Sequence, residues 1–63
     1  MGIGERIKNR RMQLGISAEQ LATKIGRSKT TVYRYETEEI ENMPSSVLEP
    51  IAKALLTTPA YLM

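Results

Sequence analysis

The sequence predicts an all-α chain, five short helices closing around one core. Three observations lead there. Apolar residues recur at three- and four-residue spacing in five segments. The segments open and close on cap signals, with Ser17 and Thr58-Pro59 at starts and Gly15 and Gly26 at stops. The connections between them are short, as a compact helical bundle requires. At 63 residues the chain buries one modest core, worth ~3–5 kcal/mol net, so tight helix packing or self-association helps it.

The first helix is predicted from about Gly4 to Leu14. Ile3, Ile7 and Leu14, with Met12 nearby, supply its buried side, and Arg6, Lys8, Arg10 and Arg11 crowd the remainder. Gly15 provides the left-handed exit common at helix ends. The second helix begins in "ISAEQLATKIG". Ser17 and Gln20 have capping-box spacing, and Ile16 and Leu21 the spacing of a hydrophobic staple. Leu21, Ala22 and Ile25 form its inner stripe. Gly26 permits a sharp turn, Ser28 caps the third helix, and that helix runs to about Glu36. An acidic loop follows, "ETEEIENMPSS", containing Pro44. Ser45 or Ser46 is expected to cap the fourth helix, which continues through Val47, Leu48, Ile51, Ala52 and Leu55. Pro50 is expected near its first turn, where a missing N–H and a fixed φ cost least. Thr58 caps the last turn and Pro59 takes its first position.

Composition narrows the function. The chain has no cysteine and no histidine, which removes thiolate metal sites, disulfides and the commonest general base. It has no signal peptide and no apolar run that could span a membrane, so a cytoplasmic location is expected. Its clustered glutamates lie in one loop without a metal-ligating partner, so no catalysis is expected. Net charge is +2 but unevenly placed: residues 1–35 carry eight basic against two acidic side chains, and residues 36–63 one against five. A cationic first half is the footprint of a polyanion binder, although a basic helical surface alone would give the same count.

Ala22, Gly26 and Val32 have helix-turn-helix spacing: a small residue four before the turn glycine and a β-branched one six after it. Leu21, Ile25 and Tyr35 join them as core positions, and the small Ala22 lets the two helices cross closely. With Val32 as the core direction, Thr30 falls at about 160° and Arg34 at about 200° on the helical wheel, opposite the core. Lys29 and Tyr33 lie on one flank. An arginine there can fork onto guanine O6 and N7; lysine reaches the same acceptors, and threonine meets a base edge or a thymine methyl. Glu36 falls only about 40° from Val32, too near the core for an unpaired carboxylate.

The stretches "RIKNRRMQLG", "LATKIG", "VYRYE", "IAKAL" and "TPAYLM" occur in an order and spacing that resemble the phage repressor and Cro-like (lambda-repressor-like, XRE-type) helix-turn-helix family, over nearly the whole chain. The resemblance implies one DNA-binding domain over residues 1–63, with its helix-turn-helix core at 17–36, of a kind also found at the N-terminus of longer regulators. By position, Lys29, Thr30 and Arg34, with Ser28 beside them, would read bases. Ser17, Arg10, Arg27 and Tyr33 would meet the DNA backbone, although Tyr33 could instead shield the core rim. Arg11, late in the first helix, would pair with Glu36 and tie the two helices together. Leu56, Pro59, Leu62 and Met63 are dimer candidates; closing the core is the competing role for Leu62 and for Tyr61.

Three departures from the family pattern stand out. A glutamine that contacts phosphate in several relatives is Ala18 here. The loop after the third helix carries Glu38, Glu39 and Glu41 rather than basic residues. Leu56 stands where a glycine often ends the fourth helix, so that this helix is expected to end differently or Leu56 to serve a partner surface. The function implied is sequence-specific binding of a double-stranded DNA operator by a homodimeric transcriptional regulator of phage or prophage repressor type, without cofactor, metal, membrane or small-molecule ligand. Two other readings stay open: the DNA-binding part of an antitoxin or restriction controller, and a protein-interaction module that has lost DNA, for which the acidic loop speaks.

Overall fold

The computed structural model describes residues 2–37 and 43–63; the acidic stretch Glu38, Glu39 and Glu41 lies outside them. Five helices follow in order: α1 Ile3–Gln13, α2 Ala18–Ile25, α3 Lys29–Thr37, α4 Ser45–Ala54 and α5 Pro59–Leu62. Six side chains are almost completely buried, and they come from all five segments: Ile7, Leu21, Val32, Ile51, Leu55 and Leu62. A single core therefore touches every helix. The expected core residue Met12 is 60% exposed, because its position turns it away from the Ile3–Ile7–Leu14 stripe.

The start of α2 is set by a reciprocal capping box. Ser17 Oγ accepts from the Gln20 backbone N–H at 3.0 Å, and Gln20 Oε1 accepts from the Ser17 N–H at 2.7 Å. At α3 the Ser28 hydroxyl accepts from the Thr31 N–H at 3.2 Å. Thr58 Oγ1 accepts from the Tyr61 N–H at 3.3 Å, with Pro59 in the first turn of α5. The start of α4 differs from expectation. Pro44, not a serine, occupies the cap, and its carbonyl accepts from both Val47 and Leu48 at 2.9 Å. A backbone acceptor fixed by the proline ring thus replaces a hydroxyl, and the helix begins one residue early. Pro50 consequently sits past the first turn, where its missing N–H leaves the carbonyl of exposed Ser46 to solvent.

Three helices leave by the same six-residue turn. In α1, Gly15 and Ile16 donate back to Met12 and Arg11; in α2, Gly26 and Arg27 donate to Thr23 and Ala22; in α4, Leu56 and Thr57 donate to Lys53 and Ala52. This paired pattern is the Schellman motif and needs a left-handed residue at its centre. Gly15 and Gly26 meet the need at φ 70° without strain, whereas Leu56 meets it at φ 55° with a side chain in place. The expectation that α4 would end differently for want of a glycine is thus corrected. Arg10 braces the strained turn: its Nε donates to the Leu55 carbonyl at 3.0 Å and its Nη2 to the Leu56 carbonyl at 3.2 Å.

One glycine is structural for a different reason. Gly4 is buried, and a Cβ there would lie 2.7 Å from the Glu36 carbonyl oxygen and closer still to that of Tyr35. α1 therefore rests directly on the last turn of α3. Two substitutions should act in opposite directions. Leu56→Gly should raise stability by about 0.5–1 kcal/mol, since relief of left-handed strain exceeds the added chain entropy. Gly4→Ala should lower it by about 1–3 kcal/mol despite alanine's helix propensity, because the two backbones must separate. Urea denaturation of both variants measures the two signs.

Candidate nucleic-acid interface

α3 is divided into an inner and an outer side. Val32 is buried and Tyr35 half-buried on the inner side, joined by Glu36. Lys29, Thr30, Tyr33, Arg34 and Thr37 are exposed. The polar ridge anticipated from the helical wheel, Thr30 and Arg34 with Lys29 alongside, thus faces solvent as one group. Tyr33 is 48% exposed, an aromatic face at the edge of that ridge. The Ser28 hydroxyl is partly engaged, since besides capping Thr31 it lies 2.9 Å from the Thr31 hydroxyl.

The inner side is anchored by charge. Arg11 Nε donates to Glu36 Oε2 at 2.7 Å and Nη2 to Oε1 at 3.0 Å, a two-pronged pair. The third prong, Nη1, donates to the Ile16 carbonyl at 3.0 Å. The Arg11 and Glu36 side chains are only 12% and 2% exposed. Hydrogen bonding to Glu36 raises the Arg11 pKa above its ordinary value, with desolvation working against the rise. A raised basic pKa means that this stabilisation is complete below the ordinary arginine value and is lost only above it. Arg11 therefore stays charged throughout the working pH range.

The residues expected at the DNA backbone separate into two groups. Arg27 is exposed at the turn between α2 and α3, and Ser17 is exposed at the start of α2. Although the Ser17 oxygen accepts from Gln20, its hydroxyl proton can still be donated. Ala18, by contrast, is 3% exposed and packs in the core, so that position offers no polar contact. Arg10 is engaged within the fold: its guanidinium spans the Leu55 and Leu56 carbonyls at the end of α4 and Gln13 Oε1. Among the dimer candidates, Leu56 and Met63 are 75% and 70% exposed and Pro59 is half-buried. Leu62 is fully buried and closes the core, so it offers no surface; Tyr61, weighed as a core residue, is 49% exposed.

Sequence reasoning did not find Gly4, the Ile16 carbonyl as third acceptor of Arg11, or the role of Arg6, whose Nη1 donates to the Tyr61 carbonyl at 3.2 Å. Gly4 carried one legible signal, a glycine inside a helical pattern, where it costs stability unless a close approach demands it. Among the described residues no group of acidic side chains could hold a metal ion, and no helix is long and apolar enough to cross a membrane.

Comparison with known proteins gives this geometry its context. The model of a helix-turn-helix domain family matches residues 3–62. An HTH-type transcriptional regulatory protein of Pyrobaculum aerophilum is 50% identical over 38 residues, which is 60% of this chain and 15% of that protein. The chain thus spans a small fraction of that curated relative. The DNA-binding domain of the P22 c2 repressor in solution is 34% identical, with a TM-score of 0.88 over 98% of this chain and 80% of that one. The P22 c2 repressor in complex with a synthetic operator is 33% identical, with a TM-score of 0.87 over 100% and 94%. Hydroxypropylphosphonic acid epoxidase from S. wedmorenis is 31% identical, with a TM-score of 0.89 over 98% of this chain but 32% of the enzyme.

The ion pair generates a test. Arg11→Ala and Glu36→Ala should each cost about 3 kcal/mol, because each strands the other charge. The double variant should lose less than the sum, with a coupling of about 1–3 kcal/mol. Denaturant unfolding of the four proteins closes the cycle, and an additive result would mean the pair does not couple α1 to α3.

Proposed function

This chain belongs to the helix-turn-helix domain family, and from that premise we propose that it binds double-stranded DNA in a sequence-specific manner and regulates transcription, as a repressor on a two-fold operator. The observation that carries the reading is the division of α3, with Val32 and Glu36 locked inward and Lys29, Thr30 and Arg34 outward on one ridge. A helix so held enters the major groove as a rigid body. Arg34 and Lys29 then meet guanine O6 and N7, and Thr30 a base edge or thymine methyl; Ser28 stands beside them at the helix start. Ser17, Arg27 and Tyr33 meet the sugar-phosphate strands and set register without carrying sequence information.

Residues 1–63 act as one DNA-binding domain with its recognition core at 17–36, and the Pyrobaculum relative carries the corresponding stretch within a much longer chain. The operator contact is that of a homodimer in the cytoplasm, which sets two copies of α3 about 34 Å apart. Leu56 and Met63, with Pro59 between them in sequence, supply exposed apolar surface for it. Repression follows from occupying the operator, and no reaction of its own is required. The likeness to the epoxidase reaches only 32% of that enzyme, so it transfers the fold and not the chemistry. The acidic residues Glu38, Glu39 and Glu41 favour a second reading, in which the same helical unit serves as an interaction module.

Selection of bound sites from random duplex DNA, followed by anisotropy titrations across salt, separates the two readings. The regulator should show log K falling by about 0.9 per neutralised phosphate per decade of salt; an absence of duplex binding even at low salt favours the module. On the selected operator, Arg34→Ala should lose about 1–3 kcal/mol per half-site, concentrated at one base pair. Val32→Ala should instead lower the melting temperature and weaken all sites together, through a cavity costing about 1–3 kcal/mol. Uniform weakening by Arg34→Ala would make Arg34 a phosphate clamp.

A further inference from the structure

On the other side of α1 lies a cleft of about 390 Å³ between α1 and α5, lined by Arg6, Asn9, Gln13, Ala60 and Tyr61. Arg6, Asn9 and Gln13 recur at three- and four-residue spacing and so share one flank of the helix. Gly4 and Arg11, which face α3, lie on the opposite flank. The cleft is therefore not part of the surface that α3 offers.

Its chemistry is that of an incomplete anion site. Arg6 gives Nη1 to the Tyr61 carbonyl at 3.2 Å, while its Nε is buried without a hydrogen-bond partner. Buried donors in native structures are nearly always satisfied. The ion pair found among the described residues is Arg11–Glu36, and no described carboxylate reaches Arg6. Asn9 and Gln13 add carboxamides, which both donate and accept, and Ala60 with Tyr61 adds an apolar wall. The volume falls within the range of small-ligand sites.

We propose that this cleft docks an acidic peptide segment of a partner protein. A glutamate or aspartate carboxylate accepts from the Arg6 Nη groups, since Nε itself is closed to solvent. The carboxamides of Asn9 and Gln13 pair with the N–H and C=O of the peptide backbone, and Tyr61 covers the side-chain stem. The Gln13 carboxamide oxygen already accepts from Arg10, but a phosphate strand, which offers acceptors alone, would leave the Asn9 oxygen unused, which favours the peptide over nucleic acid. The site goes beyond the proposed DNA contact and does not depend on it.

The test is NMR titration of the isotope-labelled chain with the capped peptide Ala-Glu-Ala, using the capped peptide Ala-Gln-Ala as control. The Glu peptide should shift the Arg6 Nε–H signal and the Asn9 and Gln13 side-chain amide signals saturably, and the Gln peptide should bind roughly tenfold more weakly or less. Arg6→Gln should remove the response. Asn9→Asp, at an exposed position of the cleft, should do the same by repelling the carboxylate. DNA added to the peptide complex should leave peptide affinity unchanged. Three outcomes overturn the proposal. One is linear, unsaturable shifts spread over surface lysines. Another is displacement of the peptide by duplex DNA, which would make the cleft a phosphate contact. The third is concentration-dependent shifts of the same signals without peptide, which would show a second copy of the chain filling the cleft.

Discussion

The guanidinium of Arg11 joins three parts of the chain that no local rule brings together: its own position late in α1, the Ile16 carbonyl in the turn before α2, and the Glu36 carboxylate on the inner side of α3. Because Glu36 shares a face with Val32, fixing the carboxylate fixes the rotation of α3. The rotation decides which side chains reach solvent. The exposed polar ridge is thus set by a charged contact on the opposite side of the same helix. Burial makes the contact consequential, since a carboxylate without its partner there would be a desolvated charge. Gly4 makes it possible, by letting α1 come near enough for the arginine to reach.

The arginines of α1 illustrate how one residue type serves distinct ends. Arg11 meets a carboxylate. Arg10 meets two carbonyls at the end of α4 and holds closed a helix exit that carries leucine in a left-handed conformation. Arg6 meets the Tyr61 carbonyl and lines the cleft beside α5. Carbonyls at helix ends carry partial negative charge and lack intrahelical partners, so a planar cation with several donors suits them. The cationic charge of the first half is therefore not all directed at a polyanion. Part of it is structural; Arg27, Lys29 and Arg34 are exposed at the α2–α3 turn and on α3.

A chain of this size has little core with which to correct a weak local choice, so each connection has to be well formed. The capping box at Ser17, the left-handed glycines at Gly15 and Gly26 and the proline-opened α5 are all consistent with the final fold. Among the described residues, local preference is overridden at Leu56 and Pro50 as well as at Gly4. Pro50 lies within α4 and Leu56 just past its end. The exposed apolar side chain at Leu56 means that strain is tolerated there by a residue contributing surface rather than core.

What the sequence by itself determined were the features whose causes lie within a few residues. The five helices, the reciprocal Ser17–Gln20 cap, the left-handed exit at Gly26 and the opposition of Val32 to Thr30 and Arg34 follow from turn chemistry and a 3.6-residue period. The link between Arg11 and Glu36 was suggested by family resemblance, and its geometry rests on the packing of α1 against α3. Tertiary structure alone decided the destinations of Arg10 and Arg6, 45 to 55 residues from their carbonyl partners, the buried place of Leu62 beside the exposed Tyr61, and the close approach at Gly4. A long cationic side chain has the same local pattern whether it ends at a phosphate or at a helix carbonyl. Only the folded arrangement sets which acceptor lies within its reach.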